Sequence, residues 1–312
     1  QFQLHRAVND MDNLPVIVIR FALYADLMVL AGTVAFSLYA LNAKERVSDI
    51  LPLATPCLIL ALAGFTLSGL GMFALTASMT GSSIWSVDGD VLREIVGDSA
   101  VGTAWIVRMA ALAIAFVGAL AISRTAKARY LVLASTSLAI ATLVWTGHAG
   151  ATEGLIGTVH RTSDIIHMLA AAVWLGGIAA FSGMLLRPAT ALSGAQIAVA
   201  HRALNQFSKV GALAVGLIVV TGVINCLAVV GFPHFARLPL SAYGKLLIIK
   251  LLLFGAMLAI AGVNRWRLTP ALGVAISNND PASAIVRLRW SLLAEASAAL
   301  AILALVAWLG TL

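Results

Sequence analysis

Apolar residues in this chain run in long unbroken blocks, and nearly all of its Lys, Arg, Asp and Glu fall in the short stretches between them. A helix needs about 20 apolar residues to cross a hydrocarbon core of about 30 Å. The pattern predicts eight such helices, over 14–41, 52–79, 101–123, 129–150, 162–186, 207–231, 244–264 and 288–310. Only the connections 80–100, 187–206 and 265–287 have room for further turns or an amphipathic helix, and none could hold a soluble domain. The fold class expected is all-α: a polytopic membrane protein of eight transmembrane helices embedded in the lipid bilayer.

Composition agrees. The 312 residues are 61% hydrophobic and 11% charged, against about 25% charged in an ordinary soluble domain. A formal charge of +7 raises nucleic acid as a partner, but the basic residues are spread over helix ends rather than gathered in a patch, so no nucleic-acid partner is expected. Their distribution instead sets an orientation. Lys44, Arg46, Arg124, Lys127, Arg129, Arg187, Arg202, Lys209, Arg265, Arg267, Arg287 and Arg289 fall on one side. The other side has Arg6, Arg93, Arg161, Arg237 and Lys245 with the acidic run Asp88, Asp90, Glu94 and Asp98. The positive-inside rule then places both termini outside the cytoplasm. Residues 1–13 form an outer N-terminal segment without signal-peptide features. Met11 is a candidate start and QFQLHRAVND an added extension, so His5 carries no weight.

The two halves resemble each other in helix order. AGTVAFS (31–37) matches GGIAAFS (176–182); Gly102 and Arg108 match Gly244 and Lys250; RYLVLAS matches RWSLLAE. The reading is a 4+4 tandem repeat of one orientation, with units at 14–150 and 151–312 related by an axis along the membrane normal. The halves differ where polar chemistry sits: His167 aligns with Ala22, and Glu295 with Ser135.

Ionisable groups inside the spans are Arg20, Asp26, Arg108, Lys250, Glu295 and His167. A central charge costs about 2.5–3.5 kcal/mol on insertion scales unless it is paired or faces water. Internal ion pairs, such as Arg20 or Arg108 with Asp26, are one solution. An anion completing the excess of cations at outer depth is the other: the acidic loop, a lipid phosphate, or haem propionates.

Five of the six histidines fall on the outer side. His160, Asp164 and His167 are spaced i, i+4, i+7 on one helical face that continues through Ala171 to Trp174. The 11-residue link from Ala149 to Val159 brings His148 toward that face. Imidazole suits copper, zinc or haem iron, and Asp164 is positioned by spacing to orient a ligating ring. Met168 is an assisting thioether, although methionines in such helices usually only pack. WLGG, Trp174 to Gly177, is expected to admit a neighbouring helix closely. Cys57 and Cys226 lie at opposite depths and are expected to pack rather than pair. Phosphate-binding loops, paired-Cys motifs and hydrolase signatures are absent from the sequence.

TGHAG (146–150), HMLAAAVWLGG (167–177), FSKVGALAVGLIVVTG (207–222) and YGKLLIIKLLLFGAMLAIAGVNR (243–265) resemble, in order, blocks of the copper resistance protein D family. The match is good over the fourth to eighth spans and general in character before them. The resemblance implies a bacterial inner-membrane protein that handles copper between periplasm and cytoplasm, working beside a separate periplasmic copper-binding protein of the copper resistance C type. It maps the family's histidines onto His148 and His167, with His160 a less firm match. Two mechanisms stay open. Copper is received by His148 and His167, assisted by His160, Asp164 or Met168, and moved across the membrane. Alternatively the histidines hold a b-type haem, with propionates on Arg20, Arg108 and Lys250, making a haem-dependent cupric reductase rather than a transporter. A third reading is a non-catalytic assembly or docking protein.

Overall fold

The structure is a computed structural model that describes residues 14–46, 48, 50–147, 150, 154–185, 193–231, 239–278 and 280–311, and no strand occurs among them. Its helices are α1 (Leu14–Ala40), α2 (Ala43–Arg46), α3 (Ala54–Thr80), α4 (Gly89–Asp98), α5 (Ala100–Leu120) and α6 (Ala126–Ala141), the last prolonged by a 3-10 turn over Thr142–Thr146. Then come α7 (Gly154–Leu185), α8 (Gly194–Val230), α9 (Ala242–Val263), a π-helical turn (Asn264–Leu268), α10 (Thr269–Ser277) and α11 (Ala282–Leu309). Eight of these helical stretches are long and apolar enough to cross a membrane.

Hydropathy locates the spans and most of their ends to within a few residues, but misses the starts of the fifth and sixth. The fifth helix starts at Gly154, not 162, and the sixth at Gly194, not 207. Residues 194–206 are too polar to score as membrane yet form helix, because Ser193 caps α8 with a full capping box to Gln196. The expected long connection is therefore mostly helix. Likewise the link from span four to span five is shorter than Ala149 to Val159, and His160 lies in the second turn of α7, not at its start. The 80–100 connection holds the amphipathic helix α4, which is N-capped by Asp88.

In the first half α1, α3, α5 and α6 close a ring, each packing on the next. α7 lies against α1, α6, α8 and α11 and forms the centre of the molecule. The α1–α7 crossing is made by backbone. A Cβ on Gly32 would come 1.9 Å from the Ala172 carbonyl oxygen, and one on Gly176 would come 2.1 Å from the Gly32 carbonyl carbon. The WLGG motif thus admits its neighbour as expected, and that neighbour is the first helix. Beside the crossing, Phe36 meets Phe181 edge to face at 4.9 Å; Phe181 meets Phe207 at 5.5 Å, and Phe207 meets Trp174 at 6.1 Å.

The second half does not close. α9 packs on α11 and α8 packs on α7, but α8 and α9 have no packed seam of their own and approach only through α10 at the basic end. The aligned pair in the first half, α3 and α5, is packed along its length. The helices α5 and α9 nevertheless begin alike: Ser99 accepts from the Gly102 amide and Ser241 from the Gly244 amide.

The basic end shows why its cations sit there. Arg46 donates to the Ser37, Leu38 and Leu41 carbonyls that end α1. The buried Arg129 donates to the Ile122 carbonyl and to that of Arg46. Both satisfy helix-terminal carbonyls that carry partial negative charge. Glu45 pairs with Arg202, joining the α2 corner to α8. Burial works to raise the Glu45 carboxyl, but the hydrogen bonds from Arg202 and the Asn42 amide outweigh it and hold the group below its ordinary range. A lowered value means the fold favours the ionised form. The stabilisation is present above the ordinary glutamate value of about 4.3 and is lost as pH falls below it. Unfolding midpoints of the wild type and Glu45→Gln should differ at neutral pH and converge in acid. A gap that holds constant down to pH 3 would count against the pairing.

Candidate functional site

Two contiguous cavities lie between the helices of the second half and α1. The polar one, about 210 Å³, lies toward the end of the bundle opposite the basic end, where Gly147 and Gly310 form part of its rim. Its walls bring together residues from α1, α7, α8, α9 and α11. α7 contributes His160, Asp164, His167 and Met168, the face expected from the i, i+4, i+7 spacing. The larger cavity, about 370 Å³, is lined almost wholly by carbon, including Trp174, Phe254 and Met257, and follows the gap between α8 and α9. His167, Cys226, Lys250 and Met28 line both.

His167 is oriented by α8. Its Nδ1 lies 3.0 Å from Thr221 Oγ1. Thr221 directs its own hydrogen to the Leu217 carbonyl, so the hydroxyl oxygen accepts and Nδ1 is the protonated nitrogen. That tautomer leaves the lone pair on Nε2, the form in which imidazole binds a metal. Asp164, the carboxylate whose spacing suits it to orient a ligating ring, accepts at Oδ1 from Asn225 Nδ2 at 3.1 Å, and Thr221 meets the His167 ring across the α7–α8 seam. His160 is buried and Met168 is buried beside His167. Trp174 is buried against Phe207, and its indole nitrogen has no hydrogen-bond partner among the described residues. His148 lies outside the described residues.

Of the two solutions the sequence leaves open for the intramembrane charges, ion pairing of Arg20 or Arg108 with Asp26 is not found among the described residues. Arg108 Nε donates to Ser68 Oγ at 2.8 Å, and Arg20 Nη2 donates to the Thr146 carbonyl at 3.1 Å. Asp26 Oδ2 is buried against Gly64 without a hydrogen-bond partner among the described residues. The reason is rotational: Asp26 faces α3, whereas Arg20 faces the ends of the fourth and eighth spans, where a Cβ on Gly310 would come 2.3 Å from its guanidinium. Glu295 lies in the lower bundle and accepts from Asn264 Nδ2 at 2.9 Å, at the start of the π turn. Arg20 and Lys250 face the polar cavity; Arg108, Asp26 and Glu295 do not.

Cys226 and Met28 are site residues that sequence reasoning passed over. Cys226 was expected only to pack; it is free, half-buried and lines both cavities. Cys57 is buried in the core. Thr221 and Asn225 had no signal beyond their spacing of four on a helix of otherwise apolar character. Among the described residues no three His, Cys, Asp or Glu gather closely enough to hold an ion in a closed cage. A haem held by two axial histidines needs them opposed across a slot. The described cavity histidines, His160 and His167, share one helix face and are not such a pair.

A bundle of eight membrane-long helices, with imidazole, thioether and thiol groups facing one chamber, defines a multi-pass membrane protein with a candidate soft-metal site. Family comparison agrees in kind. Residues 11–158 match the copper resistance protein D-like N-terminal domain, and residues 201–309 match copper resistance protein D. The chain is 38% identical over 298 residues to copper resistance protein D of Pseudomonas syringae pv. tomato, covering 95% of this chain and 96% of that protein. It is 29% identical over 206 residues to inner membrane protein YebZ of Escherichia coli (strain K12), covering 66% and 68%. Copper transport protein CutJ of Bacillus subtilis (strain 168) is 26% identical over 253 residues, 78% of this chain and 45% of its own. No solved structure matches the chain significantly. This protein belongs to the copper resistance protein D family.

Proposed function

We propose that the chain binds copper in the polar chamber and passes it along the α7 face, as a transporter in copper homeostasis and resistance. The observation that carries this reading is the chamber's donor set: His160, His167, Met168, Met28 and Cys226 face one space. Imidazole, thioether and thiolate are the protein ligands copper favours, and thioether and thiolate select Cu(I). His160 and His167 lie seven residues apart, about 10 Å along a helix. They are successive stations, not one chelate, and a conducted ion needs sites it can leave as well as enter. The names of the Pseudomonas and Bacillus relatives point to copper as the cargo.

By the positive-inside rule the chamber opens to the periplasm, with both termini on that side. YebZ is named for the inner membrane, which is the location inferred here. The chamber is then where copper arrives, handed over by a separate periplasmic protein of the copper resistance C type, with His148 as a further ligand at entry. The second four-helix unit, 151–312, would carry the cargo site, and the closed first unit would support it.

Cu(I) competition against a coloured chelator tests this on protein purified in detergent. Wild type is expected to withdraw Cu(I) from the chelator. His167→Ala should weaken that by at least tenfold, with Cys226→Ser and His160→Ala intermediate. Wild-type protein that leaves the chelator fully loaded, or a folded His167→Ala variant matching wild type, would overturn the reading. A Soret band in the same preparation, lost in His167→Ala, would move the assignment to haem.

A further inference from the structure

The two cavities form one amphipathic space. The polar chamber has two cations on its wall, Arg20 and Lys250, and one carboxylate, Asp164, whose Oδ1 already accepts from Asn225. His167, Gly222, Cys226, Leu247 and Lys250 are common to both cavities, so the chamber opens into the apolar cavity at Lys250. At about 370 Å³, that cavity is within the range of about 300–1,000 Å³ typical of ligand sites. Its outer edge is the unpacked gap between α8 and α9, where Val219, Val223 and Leu251 are all exposed. In a membrane an apolar cleft open to the hydrocarbon is filled by whatever chain lies beside it. Water would gain no polar partners there.

We propose that an anionic phospholipid occupies this space, with one acyl chain in the α8–α9 gap and its phosphate in the polar chamber with Lys250 and Arg20. The lipid then forms the wall that protein supplies in the first half, where α3 packs on α5. Charge decides the head group. Two cations facing one carboxylate leave the chamber net positive, and a phosphate balances it where a zwitterionic head does not. A neutralised chamber also removes the repulsion that Arg20 and Lys250 would exert on an entering copper ion.

Native mass spectrometry on metal-free, full-length protein tests the proposal, with dioleoylphosphatidylglycerol, dioleoylphosphatidylcholine and inorganic phosphate as probes. Metal-free protein keeps the result independent of the copper reading. The phosphatidylglycerol adduct is expected to persist with about tenfold higher affinity than phosphatidylcholine, while phosphate alone gives no adduct; both requirements, a charged head and a chain, follow from the joined cavities. Lys250→Gln should abolish the preference between the two lipids. Val219→Trp, at a half-exposed position that fills the gap without changing charge, should lower retention of both. Equal retention of the two lipids by wild type, binding of phosphate as strong as that of the lipid, or wild-type retention in Val219→Trp would each overturn it. Should Lys250→Gln not fold, the head-group comparison and Val219→Trp still decide.

Discussion

Gly176→Val is expected to abolish the folded protein. Overpacking a core usually costs about 1–3 kcal/mol because side chains move aside. Here the added Cβ meets the Gly32 carbonyl carbon at 2.1 Å and its α-carbon at 2.2 Å, and backbone within two packed helices cannot step away. The α1–α7 crossing must open, and with it the aromatic contact of Phe36 with Phe181. Fluorescence-detected size exclusion should show loss of the monodisperse peak, whereas Gly255→Ala, with nothing within 4 Å of its added Cβ, should keep it. Recovery of Gly176→Val at wild-type yield and unfolding temperature would refute the backbone contact.

Thr221→Val is expected to weaken Cu(I) binding by about 10–100-fold, the usual effect of removing a group that orients a ligating imidazole. Valine keeps the shape and removes the hydroxyl that His167 Nδ1 meets, leaving the Ile218 backbone as the ring's other partner on α8. The ring then loses one of the two α8 contacts that hold its orientation and tautomer. Thr221→Ser restores the acceptor and should bind nearly as wild type. A fold-stabilising role alone would lower the unfolding temperature of Thr221→Val without separating the two variants in chelator competition, and that outcome would count against the orienting role.

The spans were legible in the sequence because a lipid-facing helix must be apolar over its whole crossing length, a requirement written residue by residue. The starts of the fifth and sixth were not. α8 begins at a capping box over Ser193 and Gln196, a local hydrogen-bond device that hydropathy does not register. The α7 face was legible for the same reason as the spans: helical spacing fixes that His160, Asp164 and His167 share a side. What lies opposite that side is a matter of three-dimensional neighbours. Thr221, Asn225, Cys226 and Met28 come from two other helices and carry no common spacing with His167. Ion pairs of Arg20 or Arg108 with Asp26, one of the two solutions the sequence left open, depend on rotation about the helix axis. Depth alone had suggested them, whereas the side each residue faces depends on packing. Arg108 found a serine on α3, and Arg20 found the carbonyl end of the fourth span.

The glycine crossing also sets a timetable. Gly176 follows Gly32 by 144 positions. At about 5–20 residues per second of synthesis, roughly 7–30 s pass between the appearance of the two. Until α7 is made the small-residue face of α1 has no match, although α3 and α6, which pack on α1 in the finished fold, have already been synthesised. An early helix such as α1 is therefore finished late, and its glycine groove waits for its partner until α7 emerges.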